Sequence, residues 1–463
     1  MFAKKTKKVD DGELKVLTAD DLGGKNIEEK RVEEREGQGE QRLSGSVRTV
    51  GMVGRVPLRS ASGALINPGR YQTLRSVPPL RPVQPGLRPG IDMQGQTEKI
   101  QGVLDVGADG HAFLRPNFVP GVGDVYVSSS QIQRFRLREG DWIVGLARKP
   151  RETERFHSFL KADTVNGVEV EKMGQRPDFA NLVPIYPQPQ IKTETEQGIL
   201  ATRLIDLLCP IGFGQRGLVV SPPKAGKTWL LKQIAQGVAI NYPKMKIMAV
   251  LVGERPEEVT DIRRSVKGEV VASNFDEKPE QQTRAAETAI ARARRLVEMG
   301  EDVFIIFDSI TRLARAYNLA VPSSGRILSG GFDPAALYPS KRFFGSARNI
   351  ENGGSLTIIG TALIDTGSKM DDLIYEEFKG TGNMELHLDR KLAEQRVYPA
   401  FDLQRSSTRK DDLLLSSDDW KKVTTLRRML NLLETGEKTS TLVEKLAKSK
   451  TNAQFLKDLK NGG

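Results

Sequence analysis

The sequence predicts an α/β chain with two folded parts, a small β-barrel followed by a mostly parallel β-sheet with helices on both faces. Two observations predict this fold class. Short β-like runs separated by turn residues begin near Thr97, as is typical of small barrels. From about Thr202, continuous apolar runs such as VFIIF (residues 303–307) alternate with helical stretches such as residues 281–299, which is typical of a parallel sheet buried on both faces.

Composition narrows the class of protein. The 70 lysines and arginines exceed the 59 aspartates and glutamates, which gives a formal net charge of +11. Such an excess is compatible with a polyanionic partner, although a solvated basic surface explains it as well. The single cysteine, Cys209, excludes an internal disulfide framework and a cysteine metal cluster. His111, His157 and His387 lack the spacing of metal ligands, so we predict no dedicated metal cage.

Composition also changes along the chain. Residues 1–95 combine a mixed charge run (28–41) with a stretch dense in Pro, Gly and Arg (56–90), so we predict a flexible N-terminal segment, with a short amphipathic helix at 13–22 as an alternative. No run is long and apolar enough to span a bilayer, and MFAKKTKK leads into no apolar signal core, which predicts a cytoplasmic protein.

The sequence also predicts where the barrel, the connector and the α/β domain begin and end. Residues 96–172 contain the short runs 100–106, 111–115, 124–127 and 141–147, which suggest a barrel of the OB or cold-shock kind. Residues 173–201 are rich in Pro and polar residues and form a connector. Residues 202–463 carry the strand–helix alternation of the α/β domain.

The strongest local motif is SPPKAGKT, Ser221 to Thr228, which follows the apolar run RGLVV and opens a helix near Lys227. Its end matches G-x-x-x-x-G-K-[ST] in the strand–loop–helix context that this phosphate loop requires, although Ser221 replaces the first glycine. Backbone N–H groups of such a loop face phosphates, the lysine adds a point charge, and the threonine hydroxyl binds Mg²⁺. We therefore predict an ATP site here.

Two carboxylates follow neighbouring apolar runs. Asp308 ends VFIIF, where it is placed to bind Mg²⁺ through water; the alternative is a helix N-cap for the next segment. Glu254 follows IMAVLV, where a carboxylate can polarise the attacking water; the alternative is a surface glutamate. Arg255 either neutralises phosphate charge or pairs with Glu257 or Glu258.

Five longer stretches resemble the Rho family of bacterial transcription termination factors, which are hexameric RNA-dependent ATPases and helicases. They are GQRGLVVSPPKAGKT, ERPEEVTDIRRSVKGEVVASNFDE, DSITRLARAYN, KRFFGSARN and TALIDTGSKMDDLIYEEFKGTGNMELHL. The resemblance covers roughly residue 97 to the C-terminus. It implies a RecA-like P-loop ATPase domain behind the OB/cold-shock-like RNA-binding domain.

The resemblance implies roles for individual residues at the nucleotide. Glu254 and Lys227 act in catalysis, Arg409 is the arginine finger donated to the adjacent subunit, and Arg396 assists nearby. Thr228 and Asp308 hold the metal. The residues around the nucleotide are Gly212, Phe213, Gly214, Gln215, Arg216, Gly217, Lys224, Ala225, Gly226, Lys227, Thr228, Trp229, Arg255 and Tyr398, with Tyr398 stacked on adenine.

The resemblance also implies two sets of RNA-binding residues. Two loops face the central hole, one formed by Ile327, Leu328, Ser329, Gly330 and Gly331 and the other carrying Lys369. Gly253 stands where the family commonly has a carboxylate, which alters the binding of ligands that use that acid. In the barrel the RNA-binding positions are Gly110, His111, Ala112, Phe113, Leu114, Arg115, Asp124, Val125, Tyr126, Glu154, Arg155 and Phe156.

The residue types in the barrel fit single-stranded RNA. Aromatic rings stack on bases, arginines contact phosphates, and Asp124 and Glu154 can accept from base amino groups. His111 replaces an aromatic residue and Gly107 a larger apolar one, which softens base preference. The alternative is that Phe113 and Tyr126 belong to the barrel core. Period-2 alternation argues against it, because it places Phe113 on one face with His111 and Arg115.

Together these observations predict an ATP-dependent RNA translocase and helicase that terminates transcription in a homohexameric ring, with ATP and Mg²⁺ as cofactors. Its expected partners are nascent single-stranded RNA and the transcribing RNA polymerase. Two alternatives are a rotary or DNA-directed ATPase of the same fold and a non-catalytic RNA-binding regulator that holds ATP as a structural ligand.

Overall fold

A computed structural model describes residues 97–107, 109–195, 198–433 and 437–459. The flexible segment predicted for residues 1–95, with its alternative helix, lies outside the described residues. In the described part of the chain, no helix is long and apolar enough to cross a membrane.

The first part of the described chain is a small closed barrel. Its strands follow the order β3-β2-β1-β4-β5-β6, and a parallel pairing of β3 with β5 closes the sheet. Leu104, Leu114, Ile143 and Phe159 fill the interior. The elements are β1 (Thr97–Val106), β2 (Ala112–Arg115), β3 (Val125–Val127), α1 (Ser129–Arg134), β4 (Trp142–Arg148), β5 (His157–Val165) and β6 (Val168–Glu169).

The connector lies against the second part through two short strands. β7 (Pro184–Ile185) and β8 (Gln190–Ile191) pair with strands of the α/β domain, antiparallel in both cases. Before them, Phe179 is buried and its backbone N–H donates to Glu298 Oε1 at 2.8 Å. The connector therefore contacts the α/β domain at Phe179, β7 and β8.

The second part is a twisted sheet with the order β12-β11-β13-β15-β10-β16-β17. Its strands are parallel except for β17, which runs antiparallel to β16, and the short β14, which runs antiparallel to β15. The strands are β9 (Ile211–Gly212), β10 (Arg216–Ser221), β11 (Lys246–Glu254), β12 (Glu269–Asn274), β13 (Asp302–Asp308), β14 (Arg348–Ile350), β15 (Ser355–Leu363), β16 (Met384–Leu388) and β17 (Phe401–Thr408).

Helices cover both faces of this sheet. Because side chains alternate along a strand, Val250 of β11 faces one apolar layer and Leu251 faces the other. The helices are α2 (Leu200–Leu208), α3 (Lys227–Asn241), α4 (Pro256–Ser265), α5 (Pro279–Val297), α6 (Ile310–Ala320), α7 (Leu337–Phe344), α8 (Lys369–Lys379), α9 (Arg390–Glu394), α10 (Ser417–Asn431), α11 (Glu437–Ala447) and α12 (Asn452–Asp458). The predicted fold class is confirmed in both parts.

Helix α5 joins the barrel to the sheet. The turn before β4 approaches it so closely that a Cβ on Gly140 would lie 2.3 Å from the carbonyl carbon of Ala291. Arg292 on the same helix donates to Asn166 Oδ1 at 2.6 Å and stacks on Trp142. Arg284 of α5 forms an ion pair with Asp105 at the end of β1. All of these contacts between the barrel and the α/β domain are therefore made with one helix, α5.

We expect Gly140→Ala to lower the free energy of unfolding by about 2–5 kcal/mol, because the new Cβ must displace backbone and because φ is positive. Urea unfolding measures the loss. Gly167→Ala is the matched control, since its φ is also positive but nothing lies within 4 Å of the added Cβ. Equal losses in the two variants would show that the close approach to α5 contributes nothing.

Candidate functional site

The phosphate loop lies between β10 and α3. Gly226 occupies the N-cap position of α3 with a left-handed φ of 94°, a conformation that glycine adopts without steric cost. The first turn of α3, beginning at Lys227, leaves backbone N–H groups without helical partners, and these favour an anion. Trp229, in the same turn, is 41% exposed. The loop therefore presents donors and an aromatic surface at one edge of the sheet.

Three charged side chains meet at this edge. Lys227 Nζ lies 2.6 Å from Asp308 Oδ1 and 3.3 Å from Glu254 Oε1. The three residues follow or end β10, β13 and β11, and the carboxyl ends of parallel strands share one edge of a sheet. Burial lowers the pKa of Lys227, but the two carboxylates outweigh it and hold that pKa above its ordinary value. Burial and the Asp308 carboxylate raise the pKa of Glu254.

Asp308 is not the N-cap of α6. Ser309 holds that position, and its side chain accepts from Arg312 N. The Asp308 carboxylate instead faces the phosphate loop, with Oδ1 accepting from Lys227 and, at 2.7 Å, from Thr361 Oγ1. Its Oδ2 is buried and has no hydrogen-bond partner in the described structure. A free carboxylate oxygen beside the phosphate-loop lysine fits the hard-oxygen ligation that Mg²⁺ prefers.

The structure adds side chains that sequence reasoning missed. Arg312 Nη2 lies 3.4 Å from Glu254 Oε2, and its Nη1 donates to Gly253 O. Thr228 Oγ1 donates to Glu258 Oε2 at 3.2 Å. Thr361 on β15 was visible in the sequence as a polar residue inside the apolar run LTIIGTAL. Arg312 was visible as a cation one turn after Asp308.

Arg255 and Gly253 flank the glutamate. Arg255 is exposed and pairs with Glu258 at 3.6 Å, one of the two partners that the sequence left open. Gly253 has a φ of 65°, and a Cβ there would lie 3.4 Å from Arg312 Cδ. The space that a side chain would fill at Gly253 is therefore bordered by Arg312.

The segment Gly212 to Gly217 lies at the other end of β10. Along a strand of about 3.3 Å per residue, it is separated from the phosphate loop by roughly 15–20 Å. Its neighbour is Asn383, whose side-chain oxygen accepts from Gln215 Nε2 at 2.7 Å and from Arg216 N at 2.9 Å. Within one chain, the structure therefore does not bring together the two segments expected to surround one nucleotide.

Arg409 lies beside this second group. Its backbone N–H donates to Asn383 O at 2.9 Å, and its side chain is exposed. Arg396 was expected to assist it nearby, but the two arginines flank opposite ends of β17, because Thr408 pairs with Met384 whereas Phe401 pairs with Leu388. Within one chain Arg396 therefore lies at the edge of the phosphate loop and Arg409 at the opposite edge, and their joint action on one nucleotide stays a prediction.

Tyr398 lies over the phosphate loop. A Cβ on Gly226 would lie 3.8 Å from the Tyr398 ring, which is 42% exposed. The Tyr398 hydroxyl donates to Ala393 O at 3.3 Å, which fixes one edge of the ring. An exposed, anchored aromatic ring at this position can stack on a base.

The two loops expected to face a central hole contact each other. Ser329–Gly331 forms a short helical turn, and a Cβ on Gly330 would lie 2.5 Å from Met370 N. Ile327 and Lys369 are exposed. The start of α8 is anchored by Asp371, which accepts from Arg315 Nε at 2.8 Å. Both loops are therefore connected to α6.

The barrel presents an aromatic face. Phe113 packs edge-on against Tyr126 and Phe156, with ring centroids 5.9 and 5.0 Å apart. His111 Nδ1 lies 2.6 Å from the Tyr126 hydroxyl, and the guanidinium of Arg155 lies 5.3 Å from the centre of the Phe156 ring. Three members of the predicted set, Ala112, Leu114 and Val125, instead point into the barrel core.

The acidic residues of this face already have cationic partners. Asp124 Oδ2 accepts from Arg115 Nη1 at 2.5 Å, and its Oδ1 is buried without a partner. Burial raises the pKa of Asp124. Glu154 accepts from Arg148 Nη2 at 2.8 Å. Gly110, whose carbonyl accepts from Ser129 Oγ, completes the turn that supports His111.

Comparisons with known proteins match both folded parts. Residues 100–171 match the Rho termination factor RNA-binding domain, and residues 201–408 match the nucleotide-binding domain of the ATP synthase alpha/beta family. An ATPase from a bacterial type III secretion system aligns with 62% of this chain and 88% of its own at a TM-score of 0.52 and 23% identity, a likeness of fold. The chain is thus an RNA-binding P-loop ATPase.

Curated relatives identify the family. The transcription termination factor Rho of Bacillus subtilis is 53% identical over 77% of this chain and 83% of its own length. That of Streptomyces lividans is 54% identical over 77% of this chain, but the match spans only 51% of that longer relative. The chain belongs to the Rho family of transcription termination factors.

We expect Phe113→Ala to weaken binding of single-stranded RNA by about 5- to 100-fold at constant salt, since one stacked base is worth about 1–3 kcal/mol. Fluorescence anisotropy measures the affinity. Tyr186→Ala, which removes an exposed aromatic ring from the connector, is the control. ATP binding should not change in either variant. If Phe113→Ala binds RNA as tightly as the wild type, the Phe113 ring does not contribute to RNA binding.

Proposed function

We propose that this chain is an ATP-dependent RNA translocase and helicase that ends transcription by pulling on nascent RNA, as a homohexameric ring in the cytoplasm. The observation that carries the proposal is that one chain holds only part of a nucleotide site. Lys227, Glu254 and Asp308 gather at one edge of the sheet, and Arg409 is exposed at the opposite edge. A neighbouring copy can supply the missing cation.

In this proposal Glu254 accepts a proton from the attacking water. Its raised pKa moves it toward the operating pH, which suits a general base. Arg312 holds one carboxylate oxygen and Lys227 the other, so the carboxylate is oriented before the nucleotide arrives. When phosphates bind, Lys227 exchanges its carboxylate partners for phosphate oxygens.

Mg²⁺ bound with ATP would be held by Thr228 and Asp308, and it would neutralise charge on the phosphates. The unpartnered, buried Oδ2 of Asp308 supports this assignment. Thr361 and Lys227 restrain the other oxygen of the same carboxylate, which leaves Oδ2 free for a ligand.

The same geometry supports a shared pocket. Arg409 and Gly212 to Gly217 lie together at the edge opposite the phosphate loop, so in a ring they would face the nucleotide of the adjacent copy. Arg396 and Tyr398 would act on the nucleotide of their own chain, as their place near Gly226 suggests.

A physical connection between ATP and RNA supports translocation. Helix α6 begins two residues after Asp308, and Arg315 on it holds Asp371 through two hydrogen bonds of 2.8 and 2.6 Å. Asp371 lies in the first turn of α8, beside Lys369. A change at the nucleotide that moves α6 would therefore move Lys369, whose charge can follow RNA phosphates.

Two alternatives make different predictions. A rotary ATPase shares the α/β domain but does not need the aromatic face of the barrel, and its turnover would not depend on RNA. A regulator that holds ATP as a structural ligand needs neither Glu254 nor Arg409. ATP turnover with and without single-stranded RNA separates all three. Contact with RNA polymerase follows from the proposed role in termination and is tested by co-purification.

We expect Glu254→Gln to bind ATP and RNA normally while RNA-stimulated hydrolysis falls by about 10²–10⁴-fold, because the amide cannot take the proton. Phosphate release measures hydrolysis. Glu257→Gln, an exposed glutamate one turn along the same segment, serves as the control and should retain full turnover. Normal hydrolysis by Glu254→Gln would remove its catalytic assignment.

We expect a mixture of Arg409→Ala and Glu254→Gln subunits to recover ATPase activity that neither variant shows alone, since a pocket with Glu254 from the first copy and Arg409 from the second is complete. An arginine finger is typically worth about 10³–10⁵ in turnover. Arg428→Ala, an exposed arginine on α10, is the charge-matched control. No recovery of activity in the mixed rings, or full turnover by a monomer, would contradict the shared pocket.

A further inference from the structure

A cleft of about 500 Å³ lies between the connector, α5 and α7, apart from the sites described above. We call it the basic cleft. Its cationic lining consists of Arg294, Arg295, Lys341, Arg342 and Arg348. Asp178 is the single carboxylate among the described residues that line it, and its Oδ1 accepts from Ala180 N in a short helical turn.

Most of this charge is not neutralised by the protein. Arg295 pairs with Glu298 and Lys341 with Glu377, at 2.9 and 2.6 Å. Across the described ranges, no carboxylate lies within ion-pair distance of Arg294, Arg342 or Arg348. Burial and the neighbouring arginines lower the pKa of Arg294. Cations held together without counter-charges attract an anion strongly.

An aromatic ring, instead of an acid, positions two of these cations. The guanidinium groups of Arg348 and Arg294 lie 4.8 and 5.6 Å from the centre of the Phe179 ring. Phe179 is buried, and Glu298 accepts from its backbone N–H. Arg294 Nη2 donates to Ser346 Oγ at 2.7 Å, but its Nε is buried without a partner. Within the described residues the Arg348 guanidinium makes no hydrogen bond, so its donors are available to a ligand.

The rim of the basic cleft adds a stacking surface. Tyr338, at the start of α7, is 69% exposed. Cationic grooves combined with exposed aromatic rings are typical of sites for single-stranded nucleic acid. An acidic peptide would use the arginines but would leave this ring unused.

The basic cleft is also continuous with the barrel. A neighbouring cavity of about 230 Å³ shares Arg294 and Arg342 with it and is lined further by Arg284. Arg284 pairs with Asp105, which pairs in turn with Arg115 of the aromatic face. Glu139 and Glu287 also line this cavity and pair with Arg284, so Arg294 and Arg342 are the cations of the cavity that remain free of ion pairs in the described ranges.

We propose that the basic cleft is an additional site for nucleotide phosphates, which its three unpaired arginines bind while Tyr338 stacks on a base. The proposal rests on one part of the proposed function, the binding of RNA or nucleotide. It does not require ATP hydrolysis or a ring. RNA and free nucleoside triphosphate share this chemistry, and the experiment separates the two sources.

The RNA arm compares the full chain with Arg342→Ala/Arg348→Ala, using RNA of about 40 nucleotides and of about 8 nucleotides, a length that fits within the barrel. We expect about 10-fold weaker binding of the long RNA and no change for the short one. The dependence of log K on log salt should become shallower by about 1.4, since each phosphate contact on a single strand contributes about 0.7.

Tyr338→Ala tests the same site without disturbing a buried group, since this ring is mostly exposed. It should weaken long-RNA binding by about 5- to 100-fold, and Tyr338→Phe should restore it because the stacking surface returns. Photo-crosslinking of long RNA should label the segment around Tyr338 in the wild type and not in Arg342→Ala/Arg348→Ala. Arg428→Ala is the control for loss of an exposed arginine.

The nucleotide arm uses equilibrium dialysis with a non-hydrolysable ATP analogue. If free nucleotide is the source, the wild type binds two equivalents per chain and Arg342→Ala/Arg348→Ala one, with RNA binding unaltered. The proposal is overturned if neither ligand responds, or if the variants change only the oligomeric mass, since the cleft would then contact another copy. Hydrolysis by the Glu254 and Arg409 variants tests the proposed function alone. Its outcome does not change what the binding measurements say about the basic cleft.

Discussion

The ammonium of Lys227, held between the carboxylates of Glu254 and Asp308, is the interaction on which the nucleotide site depends. Glu254 and Asp308 end β11 and β13, and Lys227 opens the helix that follows β10, so the cluster forms only if these strands are parallel and their carboxyl ends align. Both carboxylates are nearly fully buried. Removing one partner from a buried ion pair typically costs about 3–5 kcal/mol, because the other charge is left unpaired. Before ATP binds, the lysine therefore stabilises the two acids that the chemistry requires.

The sheet also prevents one chain from forming a complete nucleotide site. Its strands place the phosphate loop and Arg409 at opposite edges, a separation that no side chain spans. Lys227, Glu254, Arg312 and Tyr398 act at one edge, and Arg409 with the Gly212–Gly217 segment at the other. If the proposed function is right, this separation is the physical reason for a ring. Only a neighbouring copy brings the two edges together.

Helix α5 gives the barrel its place relative to the ATPase domain. Gly140, Arg292 and Arg284 fix the barrel to this helix through close packing, a hydrogen bond and an ion pair. Glu287, also on α5, accepts from the hydroxyl of Tyr317 on α6. Because α6 starts beside Asp308 and its Arg315 holds the Lys369 loop, the barrel, the nucleotide site and the loops are joined by two adjacent helices.

Local pattern alone determined much of this protein. Apolar runs gave the central strands because β-strands buried on both faces need continuous hydrophobic sequence, and the phosphate loop is recognisable because its chemistry is confined to consecutive residues. Alternation placed Phe113 and Arg115 outside the barrel core for the same local reason. The helices α10 to α12 and the contacts of Arg312 and Thr361 were not predicted, since they depend on which distant elements pack together.

Only the tertiary structure decided which of the site residues meet. Sequence similarity grouped Arg396 with Arg409 and the Gly212–Gly217 segment with the phosphate loop, but strand direction places the members of each pair at opposite ends of β17 or β10. It likewise decided that Ser309 caps α6, which frees Asp308 for the nucleotide site. The local sequence specifies where strands and loops form. The pairing of strands that are far apart in the chain decides which strand ends lie at the same edge of the sheet.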